Sequence, residues 1–124
     1  MELGALLGTW INSNPDTNSV AVVKATDADG KLKLQVSAVG ADGFIDWGVG
    51  DGQVFAATPE SHVGAGFTCR YEFGHGETRL HGMIMKGLLV LAQFHLFKDD
   101  SERESYFLRE YFAATHDRFG KANS

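Results

Sequence analysis

Two polar residues, Gln93 and His95, lie within the most apolar run of the chain, residues 88–97. Side chains two residues apart on a β-strand point to the same face, so this pair makes one polar spot on an apolar strand. A few fixed hydrogen-bonding groups in an otherwise apolar pocket are what orient a small ligand. Gln93 and His95 are therefore candidates for holding a ligand's polar group.

Charged residues at the same spacing form further candidate sets. Arg70 and Glu72 share one face of a predicted strand, and His81 lies on the next predicted strand. Arg109 and Glu110 lie on opposite faces of the last one. Such sets either converge on a ligand in a cavity or pair with opposite charges across strands on the outside. We expect the outside pairing for the charged residues.

Acid–base and metal chemistry have weaker signals. Asp46 beside Trp47 could be a general acid or base, but a carboxylate at a turn more often accepts a hydrogen bond from a backbone amide. A metal site would need three ligands with matched geometry, which the spacing of His75, His81 and His95 does not establish. We expect no metal and no cofactor.

Composition restricts the partners and the location. The chain carries 16 acidic and 11 basic residues, a net charge of −5, and no basic cluster beyond Lys31 and Lys33. Phosphate backbones are bound mainly by basic side chains, so we expect no nucleic acid. No basic, apolar leader and no apolar run near the length of a membrane span is present, and we expect no membrane association. The single cysteine, Cys69, cannot form an internal disulfide, and we therefore expect the protein to be located in the cytoplasm. Cys69 also has no adjacent base that would activate it as a nucleophile.

Alternating apolar residues between turn signals predict a chain made of strands. The last strand could instead be a short helix begun by Ser101 and Glu104, but its aromatic residues favour a strand. We expect a single domain over residues 1–115 and a flexible tail over 116–124. The predicted strands cover residues 6–12, 19–24, 31–39, a glycine-broken stretch over 44–48 and 53–57, 66–73, 77–85, 88–97 and 105–114.

Eight sequential strands with short turns predict an all-β fold, an eight-stranded antiparallel up-and-down β-barrel. Closure into a barrel removes the exposed strand edges that invite aggregation. A barrel of eight strands has an interior wide enough for one small ligand. The fold class therefore predicts a cavity.

The opening Gly8-Thr9-Trp10-Ile11-Asn12 resembles the avidin and streptavidin family, as do Ser37-Ala38-Val39-Gly40 and Gly66-Phe67-Thr68. A Gly-x-Trp near the start is shared more loosely by lipocalins and other calycin barrels. The resemblance implies a calycin-like barrel whose open end holds a small molecule. It also implies ligand-facing positions for Asn12 and Ser37.

The resemblance is incomplete at the aromatic positions. Gln35 stands where the family has a tyrosine and Tyr71 where it has a tryptophan, and no tryptophan lies near Gln93. Without those aromatic walls much apolar contact is lost. We expect a ligand other than biotin.

Two interpretations of the third strand conflict. The resemblance turns Lys31, Lys33, Gln35 and Ser37 inward, whereas hydrophobicity turns the alternate residues, Leu32, Leu34, Val36 and Ala38, inward. A shift of one residue exchanges the two faces. A bulge near Ser37 would reconcile them; without one the hydrophobic residues point inward and Gln35 lies on the surface.

The expected function is binding of a small hydrophobic or amphipathic molecule in the barrel, without catalysis. The expected ligand-binding residues are Trp10, Asn12, Tyr71, Phe94 and His95.

Two alternatives remain. One is an isomerase, cyclase or hydrolase that uses Asp46, His95 or Glu110 as acid or base, and the other is a structural barrel with a filled core. Residues 88–97 are apolar on both faces, which predicts a homodimer or larger homo-oligomer formed through this strand.

Overall fold

The computed structural model describes residues 1–115; the tail predicted over 116–124 lies outside the described residues. A short 3-10 turn, Gly4–Leu6, precedes eight strands, and the helix considered near Ser101 is not formed. The strands are β1 Gly8–Asn12, β2 Val20–Ala28, β3 Lys31–Gly40, β4 Gly43–Ala56, β5 Gly64–Phe73, β6 Gly76–Met85, β7 Leu88–Phe97 and β8 Tyr106–Ala114. Within residues 1–115, no helix is long and apolar enough to cross a membrane.

Each strand pairs antiparallel with the next, and β1 pairs with β8, so the sheet closes on itself. The predicted eight-stranded antiparallel barrel is confirmed. We call its two ends upper and lower. The upper end carries the loops at residues 13–19, 41–42, 74–75 and 98–105, and the lower end carries the loops at 29–30, 57–63 and 86–87.

The alternation along β3 follows hydrophobicity. Leu32, Leu34, Val36 and Ala38 are buried and Gln35 is exposed. The inward placement of Lys31, Lys33, Gln35 and Ser37 that the resemblance implies is therefore wrong. The physical reason is the free energy of removing four apolar side chains from water.

Bulges do lie near Ser37, but they are on the neighbouring strands. The pairing shifts between Val20 and Val22 on β2, and it shifts again where Val36 pairs with Gly48 and Ser37 pairs with Asp46. The second shift leaves Trp47 as the extra residue on β4. Gly48 follows it with φ 85°, a conformation that favours glycine.

Glycines at alternate positions of β4 bring this strand close to the core. A Cβ on Gly50 would lie 2.7 Å from Cys69 Sγ and 3.0 Å from the Tyr71 ring, and one on Gly52 would lie 2.8 Å from Leu32 Cδ2. Glycine is needed here for close approach, because any larger side chain would occupy space that the core already fills.

The lower part of the barrel is packed with apolar side chains. Leu3 and Leu6 of the N-terminal segment are buried against the lower end, and the Trp10 indole N–H donates to the Leu6 carbonyl at 3.0 Å. The segment thus covers the lower end of the barrel, and we call it the plug. The buried cluster also includes Val23, Leu32, Leu34, Val36, Phe67, Leu80, Leu89, Leu91 and Phe112.

We predict that Gly50→Ala lowers the free energy of unfolding by about 1–3 kcal/mol, the usual cost of overpacking a filled core. The matched control is Gly74→Ala, where nothing lies within 4 Å of the added Cβ and the change should be neutral or stabilise by up to about 1 kcal/mol. Denaturant unfolding of both variants measures the difference. Equal effects would contradict the inward placement of Gly50.

Candidate functional site

The inner face of the barrel becomes polar only near its upper end. Asn12 of β1, Thr78 of β6, Gln93 and His95 of β7 and Glu110 of β8 lie there, beside Thr17 and Ser19 of the loop at residues 13–19. We call these seven residues the polar layer. Register brings them together, since Thr78 pairs with His95 and Glu110 pairs with Leu91, two residues before Gln93.

One arm of the polar layer runs through Gln93. The Thr78 hydroxyl lies 3.0 Å from His95 Nδ1, and His95 Nε2 lies 3.2 Å from Gln93 Oε1. The Ser19 hydroxyl donates to the same Gln93 oxygen at 2.6 Å. These contacts are mutually consistent when neutral His95 carries its proton on Nε2 and accepts from Thr78 at Nδ1.

The second arm is centred on Glu110. Its Oε1 accepts from the Thr17 hydroxyl at 2.9 Å and from the Asn12 amide at 3.0 Å. The Asn12 side chain also donates to the Val20 carbonyl at 2.9 Å and accepts from the Asn14 backbone N–H at 2.8 Å. The Ser19 backbone N–H donates to Thr17 Oγ1 at 3.1 Å, which joins the two arms. Both polar atoms of the Asn12 side chain are thus used within the protein.

One group in the polar layer is left over. Gln93 is 0% exposed, and its Nε2 is a buried nitrogen with no hydrogen-bond partner among residues 1–115. Buried amide groups are nearly always paired, because a missing hydrogen bond costs free energy in a low-dielectric interior. An orphan donor on the inner face of a barrel is a feature that a bound ligand would explain.

Aromatic side chains line the inner face beside the polar layer. The bulge on β4 turns Trp47 toward the interior, where its ring centre lies 5.5 Å from that of Tyr71, 5.2 Å from Phe73 and 6.5 Å from His95. Tyr106 stacks on His95 at 4.7 Å. Trp47, Phe73 and His95 are half-buried, so apolar ring surface is presented at the upper end.

Burial sets the protonation of the two titratable rings. Desolvation lowers the pKa of His95 below its ordinary value and raises the pKa of Tyr71 above its own. The Tyr71 hydroxyl has one proton and two acceptors within reach, the Leu34 carbonyl at 3.1 Å and the Gly48 carbonyl at 3.0 Å. Both side chains are therefore neutral near pH 7, and Tyr71 anchors the bulge rather than exposing its hydroxyl.

The five residues expected to bind the ligand are not all together. Asn12 and His95 belong to the polar layer, and Tyr71 lies beneath Trp47. Trp10 lies near the lower end, bonded to the plug. Phe94 lies on the outer face, because neighbouring strand residues alternate.

The outer surroundings of Phe94 are aromatic. Its ring centre lies 5.0 Å from His81 and 5.9 Å from Phe107, in an outer groove of about 380 Å³. His95 and Tyr106 also border this groove, but the His95 ring nitrogens bond to Thr78 and Gln93 inside the barrel, whereas the Phe94 ring lies among outer-face residues.

Several site residues carried no usable sequence signal. Thr17, Ser19 and Thr78 are small hydroxyl residues of ordinary loop or strand composition, and only the closed barrel brings them to Gln93 and Glu110. Trp47 was adjacent to a candidate, Asp46, but its inward direction depends on the bulge. The flanking Gly48 is the one signal that a bulge was possible.

The remaining chemical candidates serve structural roles. Asp46 is exposed and accepts from the Gly48 amide at 2.8 Å and the Gln35 side chain at 3.2 Å, as a turn partner does. Burial raises the pKa of the Cys69 thiol to about 11, which keeps it protonated. His81 lies outside and His95 inside, so they cannot share a metal. Within residues 1–115, no group of three metal-ligating side chains is present.

Charge pairs that involve Arg70 and Glu72 occupy the outer face, as the sequence predicted. The outside pairing expected for Glu110 is wrong, because its carboxylate lies inside and accepts from Asn12 and Thr17. Glu77 accepts from Lys98 at 2.6 Å, from Arg79 at 2.7 Å and from Arg70 at 3.0 Å, and Arg70 also pairs with Glu72. The hydrogen bonds from Lys98, Arg79 and Arg70 lower the pKa of Glu77 to about 2. These cations are thereby held away from the interior.

Comparison of the chain with protein-family models, with curated proteins and with solved structures finds no match. The geometry of the site itself therefore carries the argument about function.

We predict that stability depends on the titration of His95. A histidine whose pKa is lowered by folding binds its proton more readily in the unfolded chain, so native stability falls as pH drops below the ordinary value of 6.5. In His95→Gln that contribution is absent. The difference in unfolding free energy between wild type and variant should shrink as pH falls from neutral toward the lowered pKa; a difference that stays constant or grows would contradict the prediction.

Proposed function

We propose that the upper end of this barrel binds a small apolar or amphipathic molecule and does not catalyse a reaction. The observation that carries the proposal is the half-buried aromatic group of Trp47 and Phe73 facing an internal polar layer. An apolar surface with a few oriented hydrogen-bonding groups is the usual composition of a ligand pocket. Large apolar side chains also lie at the rim of this end, where Phe44 is 73% and Ile45 is 54% exposed.

Binding is favoured over acid–base catalysis by the separation of the titratable groups. Glu110 pairs with Leu91, which lies four residues before His95 along β7. At the usual rise per strand residue this is roughly 13 Å. Proton donors and acceptors in one reaction must lie within hydrogen-bonding reach of the same substrate atoms, and Glu110 is already occupied by Asn12 and Thr17.

We infer a calycin-like architecture from the opening Gly8-Thr9-Trp10-Ile11-Asn12 together with the closed meander of eight strands. Biotin is not the proposed ligand. The aromatic wall here is built from Trp47, Tyr71 and Phe73, and of these only Tyr71 stands at an aromatic position that the avidin resemblance implies. We keep the cytoplasm as the proposed location, in agreement with the single unpaired Cys69.

We predict that N-phenylnaphthylamine, an uncharged dye that fluoresces in apolar surroundings, binds the wild-type chain. Trp47→Leu should weaken its binding by about fivefold to tenfold, because an aromatic contact and its buried area are lost. Phe94→Leu is the matched control on the outer face and should leave the affinity unchanged. Titrations followed by dye fluorescence compare the three proteins.

The same titrations distinguish dye binding at the upper end of the barrel from dye binding in the outer groove at Phe94. If Phe94→Leu weakens dye binding and Trp47→Leu does not, the dye occupies the outer groove and the proposal is wrong. Native mass spectrometry of the purified protein then tests for a natural ligand that is retained on the chain.

We also propose that copies of the chain associate through the outer face of β7. Val90, Ala92, Phe94 and Leu96 lie on that face, flanked by Met83 of β6, which is 54% exposed, and Phe107 of β8, which is 72% exposed. We propose that a second copy of the chain covers this face, because a two-fold axis places the apolar strip of one copy against the same strip of the other.

We predict that size-exclusion chromatography with light scattering detects a dimer or larger assembly at micromolar concentration. Val90→Lys should dissociate it, because the ammonium would be buried without a partner. Val49→Lys, on the exposed outer side of β4, is the control and should leave the mass unchanged. A wild-type monomer would overturn the assembly proposal without affecting the ligand proposal.

A further inference from the structure

Gln93 limits the chemistry of the ligand. We infer that the upper end selects an uncharged, flat apolar molecule that carries a hydrogen-bond acceptor, such as a carbonyl oxygen or an aromatic ring nitrogen, and that Gln93 Nε2 donates to that acceptor. The inference rests on the proposed function and specifies the ligand class for the same site.

In the structure the Gln93 amide is oriented with its oxygen toward Ser19 and His95. Oε1 accepts from the Ser19 hydroxyl at 2.6 Å and lies 3.2 Å from His95 Nε2. A carbonyl oxygen has two lone pairs, so both are used in this arrangement. The nitrogen is therefore the side of the amide that remains for a ligand, and it brings two N–H groups and no acceptor.

Asn12 and Glu110 of the polar layer already have hydrogen-bond partners within the protein. Asn12 is satisfied by Val20, Asn14 and Glu110. Glu110 Oε1 accepts from two donors. The unsatisfied donor on Gln93 is thus the strongest internal requirement for an outside partner.

Electrostatics favours a neutral ligand. Glu110 brings a carboxylate to the layer, and desolvation keeps His95 neutral by lowering its pKa. The cations of β5 and β6, Arg70 and Arg79, point outward to Glu77, and Arg103 in the loop at 98–105 pairs with Asp99 at 2.8 Å. An anionic ligand would meet a carboxylate without a compensating cation from these groups.

The aromatic residues favour a flat body. Trp47 stands edge-on to Tyr71 and Phe73, and His95 and Tyr106 stack nearly parallel, with 19° between their planes. Half-buried ring edges and faces pack best against another ring. A flat aromatic molecule reaching Gln93 would cover these surfaces.

Naphthalene and quinoline form the matched probe pair, since they share one shape and differ by a ring nitrogen that accepts a hydrogen bond. Above neutral pH, where quinoline is uncharged, wild type should prefer quinoline by about fivefold to tenfold, the usual effect of one buried hydrogen bond. The ratio of the two affinities is measured by calorimetry or by displacement of N-phenylnaphthylamine. Comparing the ratio cancels the difference in apolar burial.

Two variants assign the preference to Gln93. Gln93→Met replaces the amide with an apolar chain of similar length, and Gln93→Leu removes the N–H groups with a shorter apolar chain. In both variants the affinity ratio should fall to one or below, because the ring nitrogen loses its donor. Gln93→Leu keeps the test valid if Gln93→Met does not fold, and Phe55→Leu on the outer face serves as a control that should retain the preference.

The outcomes separate this inference from the proposed function. Equal affinity of wild type for the two probes would overturn the inference alone, with an ordered water on Nε2 as the remaining partner. A preference that persists in both variants would also overturn it, because the acceptor would be recognised elsewhere. Failure of both probes to bind wild type would overturn the proposed function itself.

Discussion

Pairing between the first and last strands is the constraint on which the rest of this structure depends. Trp10, Ile11 and Asn12 of β1 pair with Ala114, Ala113 and Phe112 of β8. Closure satisfies the backbone groups of both edges and makes an inside that is distinct from the outside. It also brings Asn12 to Glu110, which lie 98 residues apart in the chain, and so creates the second arm of the polar layer.

Inside the closed sheet, apolar and polar side chains separate by depth. The lower part is filled by leucine, valine and phenylalanine side chains and closed by the plug bonded to Trp10. The upper part contains the hydrogen-bonded layer and the aromatic group. This gradient combines the filled core of a structural barrel with the oriented polar groups of the proposed binding site, and it accounts for stability without requiring an open cavity through the whole barrel.

The distribution of charge follows the same division. Glu77 gathers Arg70, Arg79 and Lys98 on the outer face, which ties the loop after β7 to the strands beneath it. Because these cations are paired outside, hydrogen bonds of the uncharged side chains and of Glu110 dominate inside. The hydrogen-bonding character of the proposed site therefore depends both on the inner polar side chains and on the pairing of these cations with Glu77 on the outer face.

The sequence by itself determined the strand content, the barrel and the position of Gln93 and His95 on one face of β7, and it left open which face of β3 points inward. These conclusions depend on local alternation and on turn residues, which act over a few neighbours. Only the tertiary structure decided that Trp10 serves the plug, that Phe94 faces outward and that Trp47 faces inward. Those outcomes depend on the register between strands and on single-residue bulges, and a shift of one residue exchanges inside for outside without changing the composition of any strand.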